Sequence, residues 1–150
     1  METHFRKYRI MKADSDVKNV LTADGLPKEA LATFHQYENK TTVNLDDLRS
    51  ELGMTSWAVR IAYNDRFGGV VIQQQSGEGN RKHYHPHADE NWVILDGEWE
   101  WWIEGKGTQT VKKHDIIVVP KNTWHHIKCT KGPGVRYAVT QPDVEHVYEK

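Results

Sequence analysis

The sequence predicts an all-β fold, a barrel or sandwich of short strands, preceded by a mainly helical extension. Three observations support this prediction. From residue 57 onward, apolar and polar residues alternate with a period of two, and β-branched and aromatic residues are frequent. Gly, Asn or Asp separates most of these runs, and no helical pattern interrupts them. Before residue 57, apolar residues instead recur at helical spacing.

Two segments of the extension carry the weaker helical patterns. Residues 17–21 are predicted to form a short helix, with Ser15 or Asp14 as its cap. Residues 31–37 place Leu, Phe and Tyr at helical spacing after Pro27, a residue that suits a first helical turn.

The clearest predicted helix has a start and a stop signal. Asn44 is its expected N-cap, Asp46 and Asp47 lie in the first turn, and Gly53 suits the position after the last turn. Three leucines then share one face: Leu45, Leu48 and Leu52.

The strands are predicted in six runs, and the tail QPDVEHVYEK is expected to add a final edge segment. The chain is therefore divided into an extension of residues 1–56 and a β-barrel of residues 57–150. The extension is expected to pack on the barrel or on a partner subunit. The six runs are WAVRIAY, GGVVIQQQ, ENWVILDGEWEWWIEG, GTQTVKKHDIIVVP, TWHHIKC and GVRYAVT.

Composition excludes several classes of protein. The 150 residues suit one domain with a real core, and a net charge of −1 without a basic half argues against nucleic acid as the main partner. The longest apolar run, DIIVVP, is too short to cross a membrane, and the start of the sequence has no apolar region of a signal peptide. The single cysteine, Cys129, excludes a disulfide framework and a Cys-rich zinc site, and it favours the reducing cytoplasm.

The stretch HYHPHADE gathers histidines and acids, and three interpretations compete for it: a decorated surface, a buried hydrogen-bond cluster, and part of a metal site. On a strand, His83 and His85 point to the same face, roughly 7 Å apart along the chain. Imidazole and carboxylate are the natural ligands of first-row divalent metals. Glu90 follows at the start of the next run, and His125 comes 35 residues later.

The spacing of these residues resembles that of the cupin superfamily. The segment GEGNRKHYHPHADENWVILDG is similar to the first cupin motif, G-x5-H-x-H-x(3,4)-E-x6-G. The segment PKNTWH resembles the second motif, P-x-G-x2-H. The matching residues are Gly77, His83, His85, Glu90 and Gly97 in the first motif, and Pro120 and His125 in the second.

The resemblance implies a double-stranded β-helix, or jelly roll, with a divalent metal held by His83, His85, Glu90 and His125. Fe(II) is the first expectation, with Mn, Ni or Zn as alternatives. One or two coordination positions would stay open for water, substrate or oxygen. The family also leads us to expect a homodimer.

The sequence departs from the second motif at three positions. His114 and Asn122 stand where the motif has glycines, and both residue types tolerate a positive φ better than most. Cys129 replaces the terminal Asn of the motif, and it either lines the pocket or is buried as a small apolar residue.

The motif also ranks the competing polar residues. Neighbours on a strand face opposite sides, so only one of the two acids faces inward, and Glu90 is preferred over Asp89 because it fits the motif spacing to Gly97. His87 follows Pro86 and is expected at the rim, whereas Tyr84 is expected to point away from the metal. The other histidines are given no place in the site: His126 faces away, His114 is structural, and His4, His35 and His146 have no partner in sequence.

Five residues are candidates for contacts with the substrate, each with a plainer alternative. Arg60 would bind an anionic group, unless it lies exposed on a half-buried strand. Gln73 and Gln75 would reach a metal-bound water, or would only complete hydrogen bonds. Trp92 and Trp101 would line the barrel mouth, or would fill the core.

The function predicted from the sequence is a metal-dependent enzyme that acts on a small polar or anionic molecule. An Fe(II) dioxygenase or oxidative-cleavage reaction is the first hypothesis. A redox-neutral lyase, decarboxylase or isomerase is the second, and a non-catalytic small-molecule-binding module is the third. The sequence identifies no catalytic residue beyond the metal ligands.

Overall fold

The computed structural model of the protein describes residues 31–142 and 144–149. The helix predicted over residues 17–21 lies outside them, as does Pro27. The division at residue 56 therefore stays a prediction, although the strands do begin at Trp57.

Residues 31–39 form a series of turns instead of the predicted helix. The backbone amides of Phe34, Gln36 and Glu38 each donate to the carbonyl three residues earlier, which is the tighter 3₁₀ spacing. The Phe34 carbonyl accepts a 2.9 Å hydrogen bond from the backbone amide of Arg60, and Leu31 and Phe34 are buried in the core. Docking onto the barrel thus overrides the helical spacing.

The helix α1 (Leu45–Leu52) forms where its capping signals predict it. The Asn44 side chain accepts hydrogen bonds from the amides of Asp46 and Asp47, at 2.8 and 3.3 Å. Gly53 follows the last turn with a φ of +85°, a conformation that favours glycine. Both caps confirm the predicted helix.

The remaining structure is a set of antiparallel strands, which confirms the all-β fold. Two details differ from the prediction. The run GTQTVKKHDIIVVP contains two strands instead of one, and the runs TWHHIKC and GVRYAVT belong to one continuous strand. The strands are β1 (Trp57–Tyr63), β2 (Gly68–Gln74), β3 (Gly79–Tyr84), β4 (Glu90–Ile103), β5 (Gly107–Lys112), β6 (Ile116–Val119), β7 (His125–Thr140) and β8 (Val147–Tyr148).

Two long strands, β4 and β7, pair with each other and organise the jelly roll. The first half of β4 pairs with β6 and its second half with β5. The first half of β7 pairs with β3, which in turn pairs with β8, and its second half pairs with β2. The register shifts near Asp96, where the strands bend from one sheet into the other.

The sheets enclose an apolar interior, and a second cluster lies where α1 covers the outer face. Trp99 and Trp101 are fully buried in the interior cluster, where Cys129 is also buried. Leu48 of α1 belongs to the outer cluster, together with Trp57 of β1. Cys129 therefore takes the second of its two predicted roles, that of a small buried apolar residue.

The two turn positions that replace motif glycines have the predicted backbone conformation. His114 has a φ of +80° and Asn122 a φ of +59°. The Asn122 amide also donates to the His85 carbonyl at 2.8 Å, so this turn is tied to the candidate site. Within the described ranges, no helix is long and apolar enough to cross a membrane.

Candidate metal centre

Three imidazoles converge inside the barrel, two from the end of β3 and one from the start of β7. His83 ends β3 and pairs directly with His125 at the start of β7, while His85 lies just after β3. All three side chains are buried, at 2%, 2% and 0% exposure for His83, His85 and His125. Their ring centroids lie 4.3 to 5.3 Å apart. The three histidines that the sequence spacing predicted as neighbours therefore lie close together in the fold.

Backbone carbonyls fix the ring orientation of each imidazole. The Nδ1 atoms of His83, His85 and His125 contact the carbonyls of residues 81, 145 and 123, respectively. A carbonyl oxygen only accepts, so each Nδ1 carries the donated proton. In the neutral ring, the lone pair is then on Nε2, the atom that is free to bind a metal.

Glu90 begins β4 and completes the cluster. Its two carboxylate oxygens lie 3.5 Å from His85 Nε2 and 3.4 Å from His125 Nε2. Trp92 Nε1 donates a 2.6 Å hydrogen bond to Glu90 Oε1. Asp89, the competing carboxylate, is exposed and accepts a hydrogen bond from the Lys121 amide instead. Strand alternation thus separates the two acids as expected.

The pKa shifts of His83 and Glu90 favour metal binding, whereas that of His85 opposes it. Burial lowers the pKa of His83 to about 2, and the neighbouring His125 adds to this shift. Burial by itself would raise the pKa of Glu90, but its contacts with His125 and His85 outweigh this and hold the pKa well below its usual range. For His85, burial opposes protonation, yet the Glu90 carboxylate raises its pKa overall. Neutral imidazoles and an ionised carboxylate are the forms that bind metal.

These residues fit a divalent metal ion. Ligand nitrogens of the three histidines lie within 4.8 Å of one another. Among the residues that the structure describes, the buried Nε2 atoms of His85 and His125 have no hydrogen-bond partner. A buried polar atom is costly unless it is paired, and an ion between these nitrogens supplies that pairing. The chemistry of the donor set suits Fe, Mn, Ni or Zn.

A fourth imidazole, from the tail of the chain, was missed by the sequence. His146 was given no role, yet its ring centroid lies 5.0 Å from that of His83 and 4.5 Å from that of His85. Tyr148, in β8, lies 5.7 Å from the His83 ring. The tail comes here because β8 pairs with β3, a contact that no local pattern signals.

The structure places the candidate Arg60 in an ion pair with the extension. Its side chain is 2% exposed, and Nε and Nη2 lie 3.1 and 3.0 Å from Glu38 Oε2. The guanidinium also packs over the Tyr63 ring at 3.9 Å. Arg60 is therefore not exposed as one alternative predicted. Its ion pair with Glu38 accounts for its charge without a substrate and helps attach residues 31–39 to β1.

The candidate glutamines contact backbone atoms near the end of α1. Gln73 Nε2 donates to the carbonyls of Gly53 and Thr55, at 3.0 and 2.7 Å. Gln75 Nε2 donates to the Met54 carbonyl at 2.8 Å. These contacts match the alternative in which both side chains complete hydrogen bonds.

The candidate tryptophans lie against each other beneath the metal ligands. Trp92 and Trp101 form an edge-to-face pair with centroids 5.3 Å apart. Trp92 also holds Glu90, whereas Trp101 is fully buried. Trp92 therefore lies directly against Glu90, and Trp101 packs against Trp92.

Replacing Trp92 by Phe is expected to weaken metal binding about 10- to 100-fold, because the indole N–H that orients Glu90 is lost while the ring packing is kept. Competition with a chelator on the purified chain measures this affinity. The control is Trp102→Phe, the same change at a half-buried side chain of the same strand. Equal affinities for both variants would show that the hydrogen bond does not tune the site.

Comparisons with known proteins agree with this fold. Residues 70–140 match the family described as a cupin domain. Among curated proteins, the uncharacterized protein YdbB of Bacillus subtilis is 35% identical over 46 residues, which are 31% of this chain and 41% of that relative. The chain thus matches about two fifths of the length of that relative.

Three similar structures show the same fold at low sequence identity. An uncharacterized conserved protein with a double-stranded β-helix domain, from Klebsiella pneumoniae, has a TM-score of 0.60 and 19% identity, over 75% of this chain and 100% of that one. KdgF from Halomonas sp. has a TM-score of 0.55 and 18% identity, over 58% of this chain and 80% of that one. The DMSP lyase DddQ from Ruegeria pomeroyi has a TM-score of 0.54 and 20% identity, over 71% of this chain and 55% of that one.

Proposed function

The chain belongs to the cupin superfamily, and from that premise we propose that it is a metal-dependent enzyme acting on a small polar or anionic molecule. The observation that carries this proposal is the convergence of three Nε2 lone pairs and one buried carboxylate at one point of the barrel. Sites built only to stabilise a fold are closed, whereas catalytic sites leave coordination positions to a substrate. We assign His83, His85, Glu90 and His125 as the ligands.

Fe(II) is the proposed ion, and oxidative cleavage with oxygen is the proposed reaction class. Bound by imidazoles and a carboxylate, Fe(II) supplies oxygen activation, and Mn, Ni or Zn would supply Lewis acidity instead. The chain itself would hold the ion, and Trp92 would orient the Glu90 ligand through its indole N–H. Three neutral imidazoles and one carboxylate leave a divalent ion with one net positive charge. That charge favours an anionic or enolisable substrate.

A redox-neutral lyase, decarboxylase or isomerase is the second candidate, and one observation favours it. Such reactions need an acid or base beside the metal. The ring centroid of Tyr148 lies 5.7 Å from that of His83, and Arg81 packs over the Tyr148 ring at 4.3 Å, so the Tyr148 hydroxyl is the proposed acid or base. One of the similar structures is a DMSP lyase, which agrees with this candidate.

Oxygen dependence separates the two candidates. The chain is loaded with Fe(II) and assayed against a panel of small enolisable and carboxylated molecules, with oxygen uptake and product formation as the readouts. Turnover that stops under strict anaerobiosis supports oxidative cleavage. Turnover that continues without oxygen, or with Mn or Zn, supports the lyase class. Binding of panel members without any turnover would overturn both candidates in favour of a non-catalytic binding module.

Two further expectations remain proposals. A homodimer is supported by Ile116 and Val118, which leave 66% and 62% of their side chains exposed on β6. Light scattering on the full chain measures this oligomeric state. A cytoplasmic location rests on the single cysteine alone.

A further inference from the structure

His146 lies against the metal ligands as closely as they lie against one another. The rings of His83, His85 and His125 have centroids 5.0, 4.3 and 5.3 Å apart. His146 adds distances of 5.0 Å to His83 and 4.5 Å to His85, within the same range. Four imidazoles therefore form one cluster.

These distances are the ones that neighbouring ligands of a single ion adopt. With a metal–nitrogen bond of about 2.1 Å, two imidazoles at adjacent coordination positions have ring centroids roughly 4.5 to 5 Å apart. Two imidazoles that merely stack in a core are under no such requirement. The placement of His146 relative to His83 and His85 thus matches that of a ligand.

The orientation of the His146 ring also matches that of the other three. Its Nδ1 contacts the Val144 carbonyl at 3.2 Å, so Nδ1 is the donor and the neutral ring has its lone pair on Nε2. Each of the other ligand histidines is held by a backbone carbonyl in the same way. A carbonyl behind Nδ1 is the usual arrangement behind a metal-bound imidazole.

The tail that carries His146 is attached to the site at several points. β8 pairs with β3 through His83 and Tyr148. The Glu145 carbonyl, one residue before His146, accepts from His85 Nδ1 at 2.9 Å. Backbone contacts on both sides of His146 therefore hold the tail against His83 and His85.

We propose that His146 is a fifth protein ligand of the metal, beyond the three histidines and Glu90. This inference rests on the proposed metal-binding function. The ligand atoms that lie within 4.8 Å of one another belong to His83, His85 and His125, and His146 would bind from the side on which its ring packs against His83 and His85. A six-coordinate ion then keeps one position open. A substrate would bind through a single atom, and a chelating substrate would have to displace His146.

The test counts metal-bound imidazoles by NMR. The full chain, labelled with ¹⁵N-histidine, is loaded with Co²⁺, which shifts the Nδ1–H proton of each bound imidazole far from the diamagnetic region. These protons are protected by carbonyl acceptors, so each ligand gives one exchangeable resonance. We expect four such resonances in the unmodified chain and three in His146→Gln. The Co²⁺ affinity of His146→Gln should fall about 10- to 100-fold.

His126→Gln is the matched control, because His126 is an exposed neighbour of a ligand on β7. It should keep four resonances and an unchanged affinity. Three resonances in the unmodified chain would overturn the role of His146 and leave the metal site itself intact. A chain that binds no Co²⁺ would overturn the proposed function, so the two failures are distinguishable.

Discussion

The His83→Ala/His125→Ala chain is expected to lose divalent metal binding, with an affinity at least about 1,000-fold below that of the unmodified chain. This ratio corresponds to about 4 kcal/mol of binding free energy. Loss of a hydrogen-bond partner behind one ligand already costs about 10- to 100-fold, and the double variant removes two ligands outright. The two residues face each other across β3 and β7, so their loss opens one side of the cluster. Metal analysis and chelator competition measure the effect.

The matched control removes two exposed imidazoles, in the variant His87→Ala/His126→Ala. It makes the same change in composition and should keep the affinity of the unmodified chain. Thermal unfolding of the metal-free chains shows whether the double variant still folds. If it does not, Glu90→Gln keeps the volume of the side chain and removes the charged ligand. Unchanged affinity in a folded double variant would contradict the assigned ligand set.

The candidate ligands could be predicted because the barrel strands follow local rules. Strand alternation puts His83 and His85 on one face and separates Glu90 from Asp89. The spacing of the two motifs then adds His125. The same local reasoning located α1 through its caps, and it explained the positive φ of Asn122.

Long-range pairing determined what the sequence could not predict. His146 enters the cluster because β8 pairs with β3, more than 60 residues away along the chain. The segment 31–39 has helical spacing, yet contacts with β1 hold it as turns. Arg60 was expected either at the surface or on a substrate, but Glu38 lies beside it and neutralises it in the fold. Local spacing contains no information on any of these partners.

The affinity for metal is expected to fall as the pH drops below neutral, by about tenfold per pH unit. Metal binds the neutral imidazole and the ionised carboxylate. Burial lowers the pKa of His83 to about 2, and contacts with the histidines hold the pKa of Glu90 well below its usual range, so neither takes up a proton near neutral pH. Glu90 raises the pKa of His85, which makes His85 a group that must release a proton when the ion binds.

The expected slope therefore corresponds to one proton released per ion below the pKa of His85, with a constant affinity above it. Chelator competition from about pH 5 to about pH 8 measures the slope, and calorimetry in buffers of different ionisation enthalpy counts the protons. A flat profile down to about pH 5 would contradict the raised pKa of His85. A slope of two protons would show that a second imidazole is also protonated in the metal-free chain.

The contribution of His85 to the stability of the metal-free chain should change with pH in the opposite direction, whereas the lowered pKa values of His83 and His146 destabilise the fold as the pH drops through the pKa of an unfolded histidine. Folding raises the pKa of His85, so its charged contact with Glu90 stabilises the fold below the pKa of an unfolded histidine. This contribution is lost as the pH rises through the folded pKa. Bound metal replaces the proton and stabilises the fold most at the higher pH, where it binds most tightly. The difference in melting temperature between metal-loaded and metal-free chain should therefore increase as the pH rises from about 5 to about 8, as differential scanning calorimetry measures.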